Sequence, residues 1–588
     1  MKRFFKKTWK MGLTLLFGVA VLLFWGNLYP AHLAYQEQFQ LFQDDTAYWW
    51  ELVVMPGGLA DYVGEFFTQF YYYPWVGAAL LALLFMWLQR LCCFLMREQG
   101  TADTYYPLSF LPLLLLWSFM GDEHVLLSFP IALLMALLAA YGYTRMDGKW
   151  KHMFYVIVVL PLLYWSAGSA HFIFIGWLMV REFQISLRHK NLWGGIGMLL
   201  GVGLLGILCP LLASSYVQYP VSRLFGGLNY YRFPETPWME IVIILTLAFI
   251  SFLLSFFPKY AKRKGVIQAG LLLLVAVGGF WGVKQGCDWT KEEAMQYDRL
   301  VREKEWHRIV KMAETKPTAL PFNQVCLNLA LAKTGQLSDR MFKFYQGGTD
   351  GLLPPFQRDF ISMLPVSEVY YHLGLINTAQ RFTFEAMEAI PNYRKSTRCI
   401  KRLAETNLIN GNYELAAKYL HLLEKTLFYK EWAAEAMGYL YNEERINNHR
   451  EYGWLRQVRC SEDFLFGDRK LDVVLAALFQ HNPQNTMAYE YLMGYVLQQR
   501  DLNAFSKYYA LGERAGYNRI PYSYQEALAY IWIQQHGNVS GLAGSLSQEV
   551  LHEVSDFMQI YRTDSGSAQS MLQSLYSDTY WYYLIYNK

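Results

Sequence analysis

Three sets of side chains in this sequence could do chemistry. Asp44-Asp45 stand just ahead of Trp49-Trp50, Asp122-Glu123-His124 fill a short interval between two apolar runs, and Arg223 and Arg232 flank Tyr230-Tyr231. Closely spaced carboxylates bind a hard divalent cation such as Mg or Mn through oxygen, or take the proton of an attacking hydroxyl. An arginine at headgroup level grips a phosphate or diphosphate with two parallel N–H groups. Each set also has a plainer reading. Acids in loops are commonly solvated charges, and the two arginines could equally snorkel to lipid phosphate or pair with Glu235.

What must position them is a membrane. Hydrophobic residues make up 54% of the 588, and charged residues 17%, too apolar a balance for an ordinary soluble enzyme. Apolar runs of spanning character occur at Met11–Tyr29, Tyr73–Gln89, Tyr106–Met120, Val125–Tyr143, Met153–Ala167, Ala170–Val180, Leu192–Leu212, Ile241–Phe257 and Val266–Val283. The first follows Lys2, Arg3, Lys6, Lys7 and Lys10 with no convincing cleavage site behind it, which predicts a retained signal-anchor. Residues 153–180 would reach about 42 Å as one helix, against a hydrocarbon core of about 30 Å. The small residues Ser166-Ala-Gly-Ser-Ala170 predict instead two shorter helices meeting in a hairpin.

Charge supports nine crossings. With the hairpin, 17 of the 19 lysines and arginines before Val283 fall on one side, leaving Arg223 and Arg232 on the other with ten of the fourteen acids. The positive-inside rule then puts the N-terminus in the cytoplasm and, nine being odd, the C-terminus outside the cytoplasmic (inner) membrane. No Asp, Glu or Lys falls in these spans, which disfavours an ion-coupled transporter. The chain after Val283 carries 33 basic and 34 acidic residues, and nothing in either half reads as a nucleic-acid footprint.

The first outer segment, Pro30–Pro74, holds six acids (Glu37, Asp44, Asp45, Glu51, Asp61 and Glu65), no Lys or Arg, and many aromatics. Two amphipathic helices along the membrane surface, split at Pro56-Gly57-Gly58, are expected there.

The second half reads as helical repeats. Gly411-Asn-Tyr413-Glu-Leu-Ala416 has the tetratricopeptide spacing, Gly374 and Ala379 repeat its five-residue offset, and Gly335 precedes Arg340 by the same interval. Lys304-Glu-Trp306-His-Arg-Ile309 and Arg500-Asp-Leu502-Asn-Ala-Phe505 are weaker copies. Periods in the thirties mean stacked helix pairs. The fold class is therefore all-α: a transmembrane helix bundle over 1–285, with the amphipathic outer loop 30–74, followed by an α-solenoid of tetratricopeptide-like pairs over 286–588. His307, His372, His421 and His536 are isolated, and the tyrosine-rich end, Tyr576–Tyr586, reads as a cap on the last helices. Cys287, Cys326, Cys399 and Cys460 have no metal-ligand spacing; if exported, they leave room for one or two disulfides without fixing a pairing.

An acidic amphipathic first outer loop followed by a second acidic outer loop between the third and fourth spans resembles the membrane-embedded C-type (GT-C) glycosyltransferases. The resemblance implies catalytic acids at Asp44, Asp45, Asp122 and Glu123, a divalent metal held by Asp45 and Asp122, and lipid-phosphate contacts from Arg223 and Arg232. It implies a polyprenyl-phosphate-linked sugar as donor, with the repeat domain recruiting a protein or glycan partner. The phrases Pro56-Gly57-Gly58-Leu-Ala-Asp-Tyr62 and Leu163-Tyr-Trp-Ser-Ala-Gly168 are also similar to an uncharacterised family of bacterial polytopic membrane proteins with the same two-part plan. The alternative function is a non-enzymatic, membrane-anchored scaffold for an envelope complex.

Overall fold

The computed structural model is helical throughout, with no strand among the described residues and one isolated bridge, Val125 to Tyr231. It describes residues 2–189, 192–228, 230–231, 239–257, 264–355, 362–391, 394–460, 470–539, 541–542, 546–563 and 568–586. Two compact units emerge. The first is Met1–Glu292 together with two short stretches from far down the chain, Ile390–Thr397 and Leu422–Glu431; the second is the remainder. The sequence boundary at residue 285 does not include those two stretches, which lie more than a hundred residues beyond it.

The first unit is a membrane-associated bundle. Among the described residues, five helical segments are long and apolar enough to cross a bilayer: Trp9–Leu28, Pro74–Glu98, the broken segment Lys149–His189, Ile196–Ala213 and Lys264–Gly286. Ser128–Thr144 and Met239–Leu254 are shorter apolar helices. The expected span at 106–120 is the least regular. A 3-10 stretch, Asp103–Phe110, leads into a nine-residue helix, Leu111–Phe119, because Pro107 and Pro112 each remove a backbone donor. Large apolar side chains such as Leu200, Leu204 and Phe280 are exposed on the spanning helices, as lipid-facing surfaces require.

The segment 149–189 does reverse direction. Its arms, Lys149–Ala167 and His171–His189, each have 19 residues, about 28 Å of helix, and so are fuller than the short helices expected from the apolar residues alone. One side chain touches both free ends. The ring of Tyr143 stacks on His152 at 4.4 Å, and its hydroxyl donates to Glu182 at 2.9 Å. In an unbroken helix residues 152 and 182 would stand about 45 Å apart. The turn is the 3-10 stretch Gly168–Ala170, entered at Gly168 with φ 63° and ψ −141°.

Beyond the bundle's first helix, the segment 30–74 forms three helices. Pro30–Gln38 has its first N–H groups satisfied by a carboxylate from outside: Glu292 accepts from the backbone of Ala31 at 2.8 Å and of His32 at 2.9 Å, a charge well placed at a helix N-terminus. Thr46–Val53 and Gly58–Thr68 follow, split at Pro56-Gly57-Gly58 as expected. Gly64 lets the second of these press on the start of Ser128–Thr144, where an added Cβ would come within 2.7 Å of the Ser128 nitrogen.

The second unit is made of helix pairs with a recurring joint. In Met363–Leu373 with Ile376–Glu388, and in Thr397–Asn410 with Tyr413–Glu424, the joint is a glycine at positive φ, Gly374 at 88° and Gly411 at 80°. Five residues on, Ala379 and Ala416 are fully buried. The same joint recurs without glycine. Lys304, Tyr441 and Arg500 are the positive-φ non-glycine residues among the described chain, and Ile309, Ile446 and Phe505, each five residues later, are fully buried. Gly335 departs from the pattern, since Arg340 is instead paired with Glu314 at 2.6 Å. Cys326 and Cys399 are fully buried and Cys460 half-buried, and no disulfide joins any two of these or Cys287.

The two best joints differ in a way that can be measured. A Cβ on Gly411 would meet nothing within 4 Å, whereas one on Gly374 would lie 3.1 Å from the Val458 carbonyl oxygen. Gly411→Ala should cost about 1 kcal/mol, the left-handed backbone penalty alone, and Gly374→Ala about 2 kcal/mol or more as the crowding adds to it. Thermal unfolding of the full-length protein in detergent checks this; equal losses at both positions would contradict it.

Candidate functional site

The acidic loop is completed by residues from far away in the chain. Asp61 and Glu65 lie one turn apart on the helix Gly58–Thr68, so both carboxylates project from the same face. They are 1% and 3% exposed. Arg394 donates to both at once, one terminal nitrogen to Asp61 and the other to Glu65, and the Tyr48 hydroxyl also donates to Glu65. Burial pushes the Glu65 carboxyl up to about 7 against the pull of Arg394, and it raises Asp61 for the same reason. Two acids and one guanidinium carry a net negative charge when both acids ionise, so near neutrality the pair holds a proton readily.

The pattern repeats along the loop. Lys425 pairs with Asp45 at 2.6 Å, Tyr429 donates to Glu37 at 2.9 Å, and the hydroxyls of Ser396 and Thr397 donate to the carbonyls of Gln38 at 2.7 Å and Gln40 at 2.6 Å. A segment with six acids and no basic residue thus takes its cations from Ile390–Thr397 and Leu422–Glu431. Absence of Lys and Arg from 30–74 was the only sequence signal for this, and it names no partner.

Beside the ion triad opens a cavity of about 330 Å³, at the lower end of the range of about 300–1,000 Å³ for small-molecule sites. Glu65, Arg394, Lys395, Glu51, Tyr48 and Tyr219 give it polar walls, and Leu41, Leu52, Met55 and Leu228 give it apolar ones. With Glu51 and Glu65 set against Arg394 and Lys395, and apolar walls beside them, the pocket suits an amphipathic ligand with a polar head.

The acids singled out from sequence are placed as follows. Asp45 caps the helix Thr46–Val53, accepting from the Tyr48 backbone at 2.7 Å; the hydrogen bond from Lys425, then that cap, hold its carboxyl below the usual range. Asp44 is exposed and its N–H donates to the Lys425 carbonyl at 2.8 Å. Asp122 accepts from the Tyr231 hydroxyl at 2.7 Å. Glu123 is buried, with Lys291 at 2.6 Å and His124 at 3.3 Å. Neither Asp44, Asp45, Asp122 nor Glu123 lines the cavity. Arg223 lies beside it, donating to the carbonyl of the wall residue Leu228 at 3.5 Å. Arg232 lies outside the described residues.

Among the described residues, one group of three or more candidate metal ligands comes together, Asp122, Glu123 and His124, with ligand atoms within 4.8 Å of one another. Asp45 is not in it. The ammonium of Lys291 already neutralises Glu123, and burial of that ammonium is outweighed by its contact with Glu123, which raises its pKa. The cluster is satisfied as an ion pair and does not fit a divalent cation without displacing Lys291.

No curated protein and no solved structure matches the chain. A family model does match, and it runs from residue 5 to residue 587, through the membrane unit, both inserted stretches and the helix pairs alike. The chain therefore belongs to DUF6057, a family of unknown function.

Proposed function

We propose that the protein is a polytopic membrane glycosyltransferase of the C-type architecture, acting on a polyprenyl-phosphate-linked sugar at the outer face of the cytoplasmic membrane. In this reading the bundle crosses nine times with its N-terminus inside, and the helix pairs form an extracytoplasmic, tetratricopeptide-like solenoid that recruits the acceptor. The observation that carries it is Glu65, a carboxyl pushed up to about 7 in the wall of a cavity that also presents Arg394 and Lys395. A base poised near the working pH is what general-base catalysis favours.

The step assigns each group a task. Glu65 takes the proton of the acceptor hydroxyl while the oxygen attacks the anomeric carbon. The bond from that carbon to the phosphate oxygen breaks, and polyprenyl phosphate leaves with its new charge against Arg394 and Lys395. Tyr48 and Arg394 orient Glu65. Asp45, engaged by Lys425 and by its helix cap, acts as a positioning residue for the Tyr48 helix.

The test uses the full chain in nanodiscs, polyprenyl-phosphate-linked hexoses as donors, and release of polyprenyl phosphate as readout. Glu65→Gln should lower kcat at least about 100-fold with little change in donor KM, while Lys395→Ala should act chiefly on KM. Wild-type turnover by Glu65→Gln would exclude Glu65 as the base. A scaffold is the second reading, favoured by the recurring helix pairs of the second unit. It gains ground if wild-type protein releases no polyprenyl phosphate from these donors yet crosslinks to a defined envelope protein through those pairs.

A further inference from the structure

The stretch 422–431 follows the last long apolar helix, Lys264–Gly286, by more than a hundred residues of polar, helix-paired chain, and it joins Tyr413–Glu424 to Lys430–Met437. Two of its rings converge on Tyr72. Tyr429 is buried, donating to Glu37 at 2.9 Å and meeting Tyr72 edge-on at 5.6 Å. Phe428 is half-buried among aromatics: its ring stacks on Tyr72 at 5.3 Å with planes 6° apart and meets Phe70 edge-on at 5.7 Å and Tyr73 at 5.6 Å. Leu427 beside it is 40% exposed, and its N–H donates to Gln69.

The aromatics it meets have a fixed height. Tyr72 and Tyr73 immediately precede the 25-residue apolar helix Pro74–Glu98, and Tyr73, Trp75 and Val76 are exposed. Since a helix rises about 1.5 Å per residue, Tyr73, Trp75 and everything packed on them lie within one turn of the point where that helix enters the hydrocarbon. This is the layer in which Trp and Tyr concentrate. Facing water, Leu427, Tyr73, Trp75 and Val76 would leave apolar surface exposed in one place; facing a bilayer, they continue the lipid surface of the helix they adjoin.

We propose that the turn carrying Leu427 and Phe428 is a membrane-interface anchor, immersed with Tyr72, Tyr73 and Trp75 in the lipid headgroup layer at the Pro74 end of the helix Pro74–Glu98. The assignment rests on the membrane bundle and is independent of any catalytic role. Its consequence is that a segment from far down the chain touches lipid directly, with Leu427 two residues from Lys425 and Phe428 next to Tyr429, which hold the acidic loop.

The test reconstitutes the full chain in nanodiscs containing phosphatidylcholine with a photoactivatable diazirine near the headgroup, and maps lipid adducts by mass spectrometry. Residues 73–76 serve as the internal standard. Adducts at Leu427 and Phe428 within about threefold of those at 73–76 are expected for groups sharing one interfacial layer. Strong labelling of 73–76 with none at 427–428 would overturn the assignment, and absence of adducts from both would overturn it by removing lipid from that end of the helix.

Discussion

Arg394→Met will cost the protein about 3–5 kcal/mol, the penalty for removing one partner of a buried ion pair. The substitution keeps most of the side-chain length while stripping the charge that Asp61 and Glu65 share. Both acids are almost inaccessible to solvent, so neither can recover by hydration, and each must be protonated or held as a buried anion. The loss should depend on pH with a definite sign. A carboxyl whose pKa is raised by folding binds more protons in the native state than in the unfolded one, so its contribution falls as pH rises from the ordinary carboxyl range through the folded value. For Glu65 that folded value is about 7, and without Arg394 it goes higher still. The variant is therefore least impaired in mild acid and most impaired in alkali. Thermal unfolding in nanodiscs at two pH values checks both statements, with exposed Lys430→Met as the control. A triple variant, Arg394→Met with Asp61→Asn and Glu65→Gln, should recover most of the stability, because it removes the charges together. If Arg394→Met behaves like Lys430→Met, the triad does not hold the acidic segment in place.

That triad also shows which kind of structure a single sequence exposes. The membrane bundle was legible because its signals are local: apolar runs, flanking lysines and arginines, and small residues at 166–170 that predicted the hairpin. The repeat joints were legible where evolution used the residue that physics prefers, at Gly374 and Gly411, each with a buried alanine five residues on. They faded at Lys304, Tyr441 and Arg500, which adopt the same left-handed backbone without the side-chain signature that advertises it. Arg394 and Lys425 were not legible at all. Each lies more than three hundred residues from its acid, in a segment of ordinary helix-pair composition, and a long-range ion pair imposes no period on the residues around it. Lys291 on Glu123, 168 residues away, was equally hidden. The six acids of 30–74, with no Lys or Arg among them, were read as an amphipathic outer loop, and only the fold shows where their cations come from. The adjacent pair Asp44-Asp45 is conspicuous in sequence, whereas the four-residue spacing of Asp61 and Glu65 brings them together only on a helix.

Gly168→Val will disrupt the turn between Lys149–Ala167 and His171–His189. The residue has φ 63° and ψ −141°, close to a region of backbone space that is almost exclusively glycine's and costs other residues about 1–3 kcal/mol. Space compounds the strain: an added Cβ would lie 3.2 Å from the Tyr230 hydroxyl oxygen and 3.4 Å from Gly57 Cα. Around this point three separate pieces of chain are joined. The Gly57 N–H donates to the Trp165 carbonyl at 2.9 Å, the Trp165 indole donates to the Val53 carbonyl at 3.0 Å, and the Ala170 N–H donates to the Tyr230 hydroxyl at 3.0 Å. A β-branched residue at 168 thus cannot be absorbed by relaxing one loop, since the tip, the acidic segment and the Tyr230 stretch would have to separate together. The expected cost is about 3–4 kcal/mol, the backbone strain plus overpacking against main-chain atoms. Gly148→Val makes the matched control: it too has positive φ, at 94°, but an added Cβ there meets nothing within 4 Å, so it should lose only the backbone part. Monodisperse yield in detergent and thermal unfolding of the two variants give the comparison. Equal losses would mean that the turn stands alone and that the hairpin tip does not clamp the acidic segment in place.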